Sequence, residues 1–276
     1  MHLVKIMAIS PKTTLTNCQH LLCEEFALSF SKHCWTHLEF KADYTKQVEG
    51  FLKTADERSV CLNLRKAQLQ DLNFSRLNLS GSCFNQAHLK HCEAIGCELS
   101  KSDMIGARLE SCHFVGCALN GVNFTKAILR DCSFSYSDIR HASLTESTLH
   151  DVDFMGAHLY GVSLWGAEFN NVKHLKRKSF QDPQKPSKET QAAISESNHL
   201  MACDSYRMLK HYLNNSGLYE DASWAAYREL TMERKYFFEK KDSRYLPSLL
   251  MDLLSGYAAK PNRVIVSSLV IILFLL

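Results

Sequence analysis

The sequence predicts an all-β solenoid over residues 61–172, followed by an α-helical hairpin and a C-terminal hydrophobic, transmembrane helix. Two observations predict the solenoid. Large apolar residues occupy every fifth position from Leu64 to Phe169, where 21 of 22 positions are Leu, Phe, Ile or Met and only Ala94 departs. Eight of the eleven glycines fall two residues after such a position. A five-residue period fits neither a helix nor a strand, but it fits a short straight side that ends in a turn.

The spacing also predicts how the sides stack. If four such sides make one coil, every fourth side lies above the first, and one column of stacked positions reads Leu79, Leu99, Leu119, Ile139, Leu159. A second column reads Phe74, Ala94, Phe114, Phe134, Phe154. The positions two residues before the large ones are mostly small, such as Ala67, Ala87, Ala107 and Ala127. Similar side chains therefore recur every 20 residues, which indicates a coil of four five-residue sides.

This pattern resembles the pentapeptide-repeat family, whose consensus is A-(D/N)-L-X-X. The resemblance extends from about Cys61 to Val172. It implies a right-handed quadrilateral β-helix with four pentapeptides per coil. Some members of the family imitate DNA toward topoisomerases, an activity that depends on a strongly acidic surface.

The charge of this chain disfavours that activity. Residues 61–172 carry 11 acidic and 9 basic side chains, and the whole chain has a formal net charge of +3. Such a balance gives no electrostatic reason to expect nucleic-acid binding. A protein partner is therefore expected, and its identity is not indicated.

Eleven cysteines occur without an N-terminal secretory signal, so free thiols in a reducing cytoplasm are expected. The predicted coil stacks Cys92 on Cys112 and Cys132, and Cys97 on Cys117. Alanine also occupies these small inward positions. The interpretation is that cysteine serves there as a small apolar residue rather than as a metal ligand or a disulfide partner.

The N-terminal region is expected to be a degenerate first coil or a cap over the open end of the solenoid, spanning residues 1–60 with a short helix after Lys41. Phe30, Trp35 and Phe40 are spaced at the period of the repeat. The same region holds zinc-ligand types, namely Cys18, His20, Cys23, His33, Cys34 and His37. Their spacings match no paired C-x-x-C motif, so neither a metal nor a cofactor is predicted.

No set of residues suggests catalysis, and a non-enzymatic protein is predicted. One outward column is less polar than the rest and is extended near the last coil. This predicted strip consists of Ile95, Val115, Met155, Tyr160 and Trp165. An exposed apolar strip suggests a docking surface for a partner. The alternative is that the C-terminal helices of the chain cover it.

After a polar linker at 173–197, the period becomes helical. A first helix is predicted from Asn198 to Asn214, with Met201, Tyr206, Leu209 and Leu213 on one side and Gly217 as a C-cap. A second is predicted from Glu220 to Lys241. Together, residues 198–241 indicate a helical hairpin.

Residues 242–263 are expected to be a juxtamembrane segment, and Val264 to Leu276 a truncated membrane span. Thirteen residues cover about 20 Å of helix, against a hydrocarbon core of roughly 30 Å. Lys260 and Arg263 favour a cytoplasmic N-terminal side. The C-terminal part of the chain, about 80 residues with Y-R-x-L-K at Tyr206–Lys210, also resembles the juxtamembrane region of bacterial pentapeptide-repeat proteins that carry a two-span, potassium-channel-like pore. This chain contains no selectivity-filter sequence.

The expected function is therefore a membrane-tethered interaction or sensory module with its β-helix in the cytoplasm, and the second resemblance implies that it could be the cytosolic part of an ion-channel-like protein. Homo-oligomers could form by stacking of end coils. The alternative is a soluble effector or inhibitor that binds a protein through the β-helix. Membrane fractionation distinguishes the two.

Overall fold

The computed structural model describes residues 16–55, 59–181, 194–195, 198–257 and 261–275. Contacts divide the chain into two compact units. The first contains residues up to 158 together with 168–174, and the second contains 159–167 together with 175–276. The extreme N-terminus and most of the predicted linker lie outside the described residues.

The first unit is built on a β-solenoid of six three-residue strands. They are β1 (Gln68–Gln70), β2 (His88–Lys90), β3 (Arg108–Glu110), β4 (Ile128–Arg130), β5 (Thr148–His150) and β6 (Glu168–Asn170). The strands form one parallel sheet in sequence order, and each strand pairs in register with the next, so that Leu69 lies beside Leu89 and Leu89 beside Leu109. This register confirms the predicted coil length.

Each coil has four such pairing positions, one on every side. Besides the β1–β2 ladder, parallel bridges join Asn63 to Cys83, Asn73 to Glu93 and Asn78 to Glu98. Backbone hydrogen bonds of 2.7–2.9 Å run from coil to coil beside these bridges, for example from Phe74 N to Glu93 O and from Glu98 N to Leu77 O. The four-sided coil is therefore confirmed, and the main chain is hydrogen-bonded along every side.

The core is filled by the large and small residues that the period predicts to point inward. Rings of Phe114, Phe134 and Phe154 stack with centroid separations of 5.2 and 5.6 Å and interplanar angles of 7° and 16°. Their side chains are almost fully buried. Repetition of one rotamer in successive coils lets flat rings pack face to face with no void between layers.

A left-handed residue turns the chain at each corner. The eight repeat glycines all have φ between 62° and 72°. Other residue types adopt the same conformation where glycine is absent, including Lys126 (60°), Tyr136 (58°) and Glu146 (53°). The coil geometry therefore imposes positive φ on whatever residue stands there, although a side chain makes this conformation costlier.

The stacked cysteines of the solenoid are buried and carry free thiols. Their sulfurs donate to carbonyl groups of the preceding coil: Cys97 Sγ lies 3.2 Å from Leu77 O, and Cys112 Sγ lies 3.5 Å from Leu89 O. Burial raises the pKa of the Cys117 thiol to about 11. The Cys117 thiol is therefore protonated near neutral pH, and the stacked cysteines act as small core residues.

The N-terminal segment 16–55 covers the first coil instead of forming a regular one. It contains an antiparallel bridge between Asn17 and Phe26 and the helix α1 (Lys41–Thr54), which buries Val48 and Leu52. Asn63 lies in the first coil and has no coil before it. Its side-chain nitrogen donates to Ala27 O at 2.7 Å, and its backbone N–H donates to Ser29 Oγ at 2.8 Å.

The second unit contains four helices, α2 (His199–Asn215), α3 (Tyr219–Glu239), α4 (Tyr245–Ser255) and α5 (Pro261–Leu275). The side chain of Asn198 caps α2 by accepting from the backbone of residues 200 and 201. Gly217 ends it with φ of 73°, and Leu218 N donates back to Leu213 O at 2.9 Å. This is a Schellman motif, which turns the chain into α3.

Helices α2 and α3 form the predicted hairpin around aromatic and ionic contacts. The rings of Tyr206 and Trp224 meet edge to face at 5.8 Å. Buried Glu229 accepts from Arg207 Nε at 2.8 Å and from Lys210 Nζ at 2.6 Å. Met201, predicted to lie on the same side as Tyr206, Leu209 and Leu213, is 38% exposed, whereas those three are buried.

One buried carboxylate connects α3, α4 and α5. Asp252 lies on α4, and its two oxygens accept from Arg234 Nη1 of α3 at 2.5 Å and from Arg263 Nη1 of α5 at 2.9 Å. Burial alone would raise the pKa of Asp252, but the two guanidinium groups hold it below its ordinary value. Arg263, predicted to set membrane orientation, is thus engaged in an ion pair within this unit.

The predicted membrane span is not supported by the structure. Within the described residues, none of the helices combines the length and the apolar character needed to cross a bilayer. Helix α5 has 15 residues and is therefore about 22 Å long. That is shorter than a hydrocarbon core of roughly 30 Å.

Two alanine substitutions at left-handed corners separate backbone strain from steric conflict. A Cβ at Gly116 would meet nothing within 4 Å, whereas one at Gly156 would lie 2.7 Å from Tyr136 Cδ1. We expect Gly116→Ala to cost about 1 kcal/mol from strain alone. Gly156→Ala should cost more stability because its Cβ would also clash with the Tyr136 ring. Thermal unfolding followed by circular dichroism measures the stability of both variants. In a Tyr136→Ala background the two costs should become equal; a difference that persists would contradict the packing assignment.

Substitution Asp252→Asn tests the ion pairs of the second unit. Loss of the charge leaves two guanidinium groups without their shared carboxylate, and we expect a loss on the order of 2 kcal/mol in helical stability at pH 7. Because the folded-state pKa of Asp252 is lowered, its contribution is present above the unfolded pKa of about 3.9 and is lost as pH falls toward the folded value. The variant should therefore lose less stability than the parent on acidification. Far-UV circular dichroism at 222 nm, which reports helix content, measures this difference.

The matched control for that experiment is Asp242→Asn. Asp242 pairs with Arg244, whose side chain is largely exposed. Solvent screens such pairs, so the control should leave the unfolding midpoint nearly unchanged. An equal fall in both variants would mean that burial of Asp252 has no special importance.

Candidate functional site: an apolar strip and a cysteine–histidine cluster

Three residues of the predicted strip stand on one side of the solenoid. Ile95, Val115 and Met155 occupy the same outward position in different coils. Ile95 is 50% exposed and Met155 is 39% exposed, and Val115 is half-buried. Ser135 of the same column is buried, and its hydroxyl hydrogen-bonds Ser133 Oγ at 2.9 Å.

Tyr136 adds an aromatic ring that the sequence pattern did not single out. It stands at a left-handed corner beside this column, where the neighbouring coils have Gly96, Gly116 and Gly156. Its ring extends over Gly156, yet 63% of the residue is exposed. The available signal was the occurrence of a tyrosine in a glycine column. Ile95, Val115, Tyr136 and Met155 are called the 95–155 strip below.

Tyr160 and Trp165 do not join that set. Both belong to the second unit, and both are half-buried there. Tyr160 interacts electrostatically with Tyr206 and Arg228 of the same unit. Both are less exposed than Ile95 and Met155, and their part in a docking surface stays a prediction.

Charges on the outer faces are paired locally. Arg108 Nε lies 2.5 Å from Glu110 Oε1 and holds the pKa of that carboxyl below its ordinary value. Arg140 pairs with Asp138 at 2.6 Å and lowers its pKa despite partial burial. In both pairs opposite charges lie side by side on one strand or corner, so neither place contributes an extended acidic surface of the kind that a DNA mimic presents.

The N-terminal segment brings four potential metal ligands together. Cys18 and Cys23 come from the loop between the bridged residues Asn17 and Phe26, while Cys34 and His37 flank a 3₁₀ turn at Trp35–His37. The ligand atoms of these four side chains all lie within 4.8 Å of one another. The sequence predicted no metal here because the C-x₄-C-x₁₀-C-x₂-H spacing becomes a cluster only once the two turns meet.

The thiols of this cluster differ electrostatically from those in the solenoid. Burial raises the pKa of the Cys18 thiol, but hydrogen bonds from the backbone of residues 34 and 20 and from the His37 ring bring it down to about 6. A thiolate is the form of cysteine that binds metals. Cys18 therefore favours the ionised sulfur, whereas burial and the neighbouring thiols raise the pKa of Cys23 in the same cluster.

Comparison with known protein families identifies the repeats. A model described as "Pentapeptide repeat region" matches residues 107–182. A second, described as "Pentapeptide repeats (8 copies)", matches residues 73–110 and 82–121. Among curated proteins, none matches this chain significantly.

Solved structures give similar matches. A pentapeptide repeat protein from the Arabidopsis thaliana thylakoid lumen is 23% identical, with 48% of this chain and 86% of that chain covered and a TM-score of 0.35. Rfr23 from the cyanobacterium Cyanothece 51142 is 24% identical over 38% of this chain and 63% of that chain, with a TM-score of 0.15. HetL from Nostoc sp. strain PCC 7120 is 18% identical over 46% of this chain and 91% of that chain, with a TM-score of 0.15. On the family models, residues 73–182 of this chain are pentapeptide repeats.

Proposed function

We propose that this chain is a non-enzymatic interaction protein whose β-helix binds a protein partner through the 95–155 strip. The observation that carries the proposal is the exposure of Ile95, Tyr136 and Met155 on one side of a fully hydrogen-bonded solenoid. Each lies on a backbone fixed by bonds to neighbouring coils. A preformed surface loses little conformational entropy on binding, which favours association.

The chemistry of the strip suits a protein partner. Aromatic residues and methionine are enriched at protein interfaces, and charged residues are depleted at their cores. Tyr136 provides a large ring with a polar tip, and Ile95 and Met155 provide apolar area on either side of it along the coils. Locally paired charges at Arg108 and Arg140 leave the surrounding faces near neutral. These properties support a partner with a complementary apolar groove.

A double substitution tests the strip directly. Ile95→Glu with Met155→Glu places two charges on the proposed contact surface while leaving the inward residues unchanged. Burial of an unpaired charge in an interface is costly, so we expect at least a tenfold loss of partner recovery when the tagged full-length chain is isolated from its native cells. Quantitative mass spectrometry against the unmodified chain provides the measurement.

The control adds the same charge elsewhere on the solenoid. Ser100→Glu with Asn120→Glu changes two outward positions of another column, both half-buried. This variant should retain the partner. Equal loss in both variants, or retention in the strip variant, would overturn the proposal. If size-exclusion chromatography shows that only self-association changes, the partner is a second copy of the chain.

A specific observation favours a second function, attachment of the chain to a membrane surface through α4 and α5. Both helices expose many large apolar side chains, including Leu246, Leu250, Leu253, Ile265 and Leu269. An apolar helical surface can lie in the interfacial region without spanning the bilayer. In this proposal the β-helix remains on the cytoplasmic side.

Vesicle flotation tests this second function. The full-length chain should float with vesicles of phosphatidylethanolamine and phosphatidylglycerol, and Leu250→Glu with Leu253→Glu should reduce the floating fraction several-fold. The control is His211→Glu with Ser223→Glu, which adds the same charge at exposed polar positions of α2 and α3. Recovery of the parent chain in the vesicle-free fraction would refute membrane attachment and leave these helices as a protein-binding surface.

A further inference from the structure

The N-terminal cluster has enough ligands for one metal ion but an odd number of thiols for disulfide bonds. Its members are Cys18, Cys23, Cys34 and His37. Three thiols cannot all pair with one another, whereas three thiolates and one imidazole satisfy a structural zinc ion. Their ligand atoms lie within 4.8 Å of one another, and Cys18 and Cys34 are buried. The set thus provides four donors on the inner side of a small folded segment.

The separations between donor atoms match a tetrahedral zinc ion. With Zn–S bonds of about 2.3 Å and Zn–N bonds of about 2.05 Å, tetrahedral angles place sulfurs about 3.8 Å apart and sulfur about 3.6 Å from nitrogen. Cys23 Sγ lies 3.8 Å from Cys34 Sγ. His37 Nδ1 lies 3.3 Å from Cys34 Sγ and 3.7 Å from Cys18 Sγ. These three separations are already close to the tetrahedral values, and none of the remaining ones exceeds 4.8 Å.

The local fold explains why these four residues meet and the other histidines do not. Cys18 N donates to Glu25 O at 2.8 Å and Cys23 N donates to His20 O at 3.2 Å, which closes the first loop. His37 N donates to Cys34 O at 3.1 Å, which closes the second. His20 instead stacks on the His37 ring at a centroid distance of 3.9 Å and so orients that ligand.

The first loop otherwise contains little to hold it together. Leu21 and Leu22 at its tip are almost fully exposed, and Leu22 adopts a left-handed φ of 62°. Small segments with sparse cores commonly depend on a metal or a disulfide for stability. An ion at the cluster would fix both loops at once.

We propose that Cys18, Cys23, Cys34 and His37 (through Nδ1) bind one Zn²⁺ in a closed, structural site that fastens the N-terminal segment onto the first coil. Four protein ligands leave no open position for a substrate, so the site is structural rather than catalytic. The fastened segment supplies the groups that pair with Asn63, namely Ala27 O and Ser29 Oγ. The ion therefore protects the first edge of the solenoid, which has no coil before it.

Metal analysis of the full-length chain tests the site. Protein purified under reducing conditions and supplied with Zn²⁺ alone should retain one ion per chain, and Co²⁺ in its place should give sulfur-to-metal charge-transfer and tetrahedral d–d bands. Cys34→Ser and His37→Ala should each lower retention at least tenfold. His37→Cys should keep the ion and shift the Co²⁺ spectrum toward that of four sulfurs, which a merely structural role of His37 would not produce.

The matched control is Cys83→Ser, a half-exposed thiol of the solenoid outside the cluster, which should leave retention unchanged. Circular dichroism of each variant shows whether the solenoid is still folded. The proposal is overturned if the reduced parent chain takes up no ion, or if Cys34→Ser retains it. It is equally overturned if Cys83→Ser loses the ion as readily, or if the chain isolated from cells carries a Cys23–Cys34 disulfide and no metal.

Discussion

The first unit depends on one constraint, the parallel in-register pairing of each coil with the next. This register keeps all four sides of a coil hydrogen-bonded to the coils before and after it. It also forces a left-handed residue at every corner, whether glycine or a bulky residue such as Tyr136 stands there. The strain at these corners is the cost of closing a coil with such short sides, and the stacked phenylalanines and buried small side chains offset it.

The same register determines how much of this structure the sequence could predict. A strict period places every inward and outward side chain before any coordinate is known, and so the coil length, the core columns and the outward position of Ile95 followed from spacing alone. The helical hairpin followed from periodicity and from the cap at Gly217. Features that depend on contacts distant in sequence did not follow, because spacing carries no information about them. The triad of Asp252, Arg234 and Arg263 and the meeting of Cys18 with His37 are both of this kind.

Two further expectations concerned the surroundings of apolar residues, which periodicity does not indicate. Tyr160 and Trp165 continue the repeat in sequence, yet they belong to the second unit and are partly covered within it. Hydropathy alone suggested a membrane span near Val264, but Arg263 turns back to Asp252 and α5 is about 22 Å long. Periodicity identifies which side of an element is apolar; it does not identify what that side contacts.

A solenoid with paired main-chain groups is rigid along its sides and vulnerable at its ends, where a coil has no neighbour to satisfy its N–H and C=O groups. In this chain the first end is covered by a segment whose own apolar core is small, and the cysteines there have a different task from those in the coils. Inside the solenoid, cysteines occupy small inward positions where alanine also occurs. In the covering segment, the pKa of Cys18 is about 6 and three sulfurs converge with an imidazole nitrogen. Cysteine thus fills small core positions in the coils, which are stabilised by hydrogen bonds to their neighbours. In the N-terminal segment, which has no preceding coil, cysteine provides the proposed metal ligands.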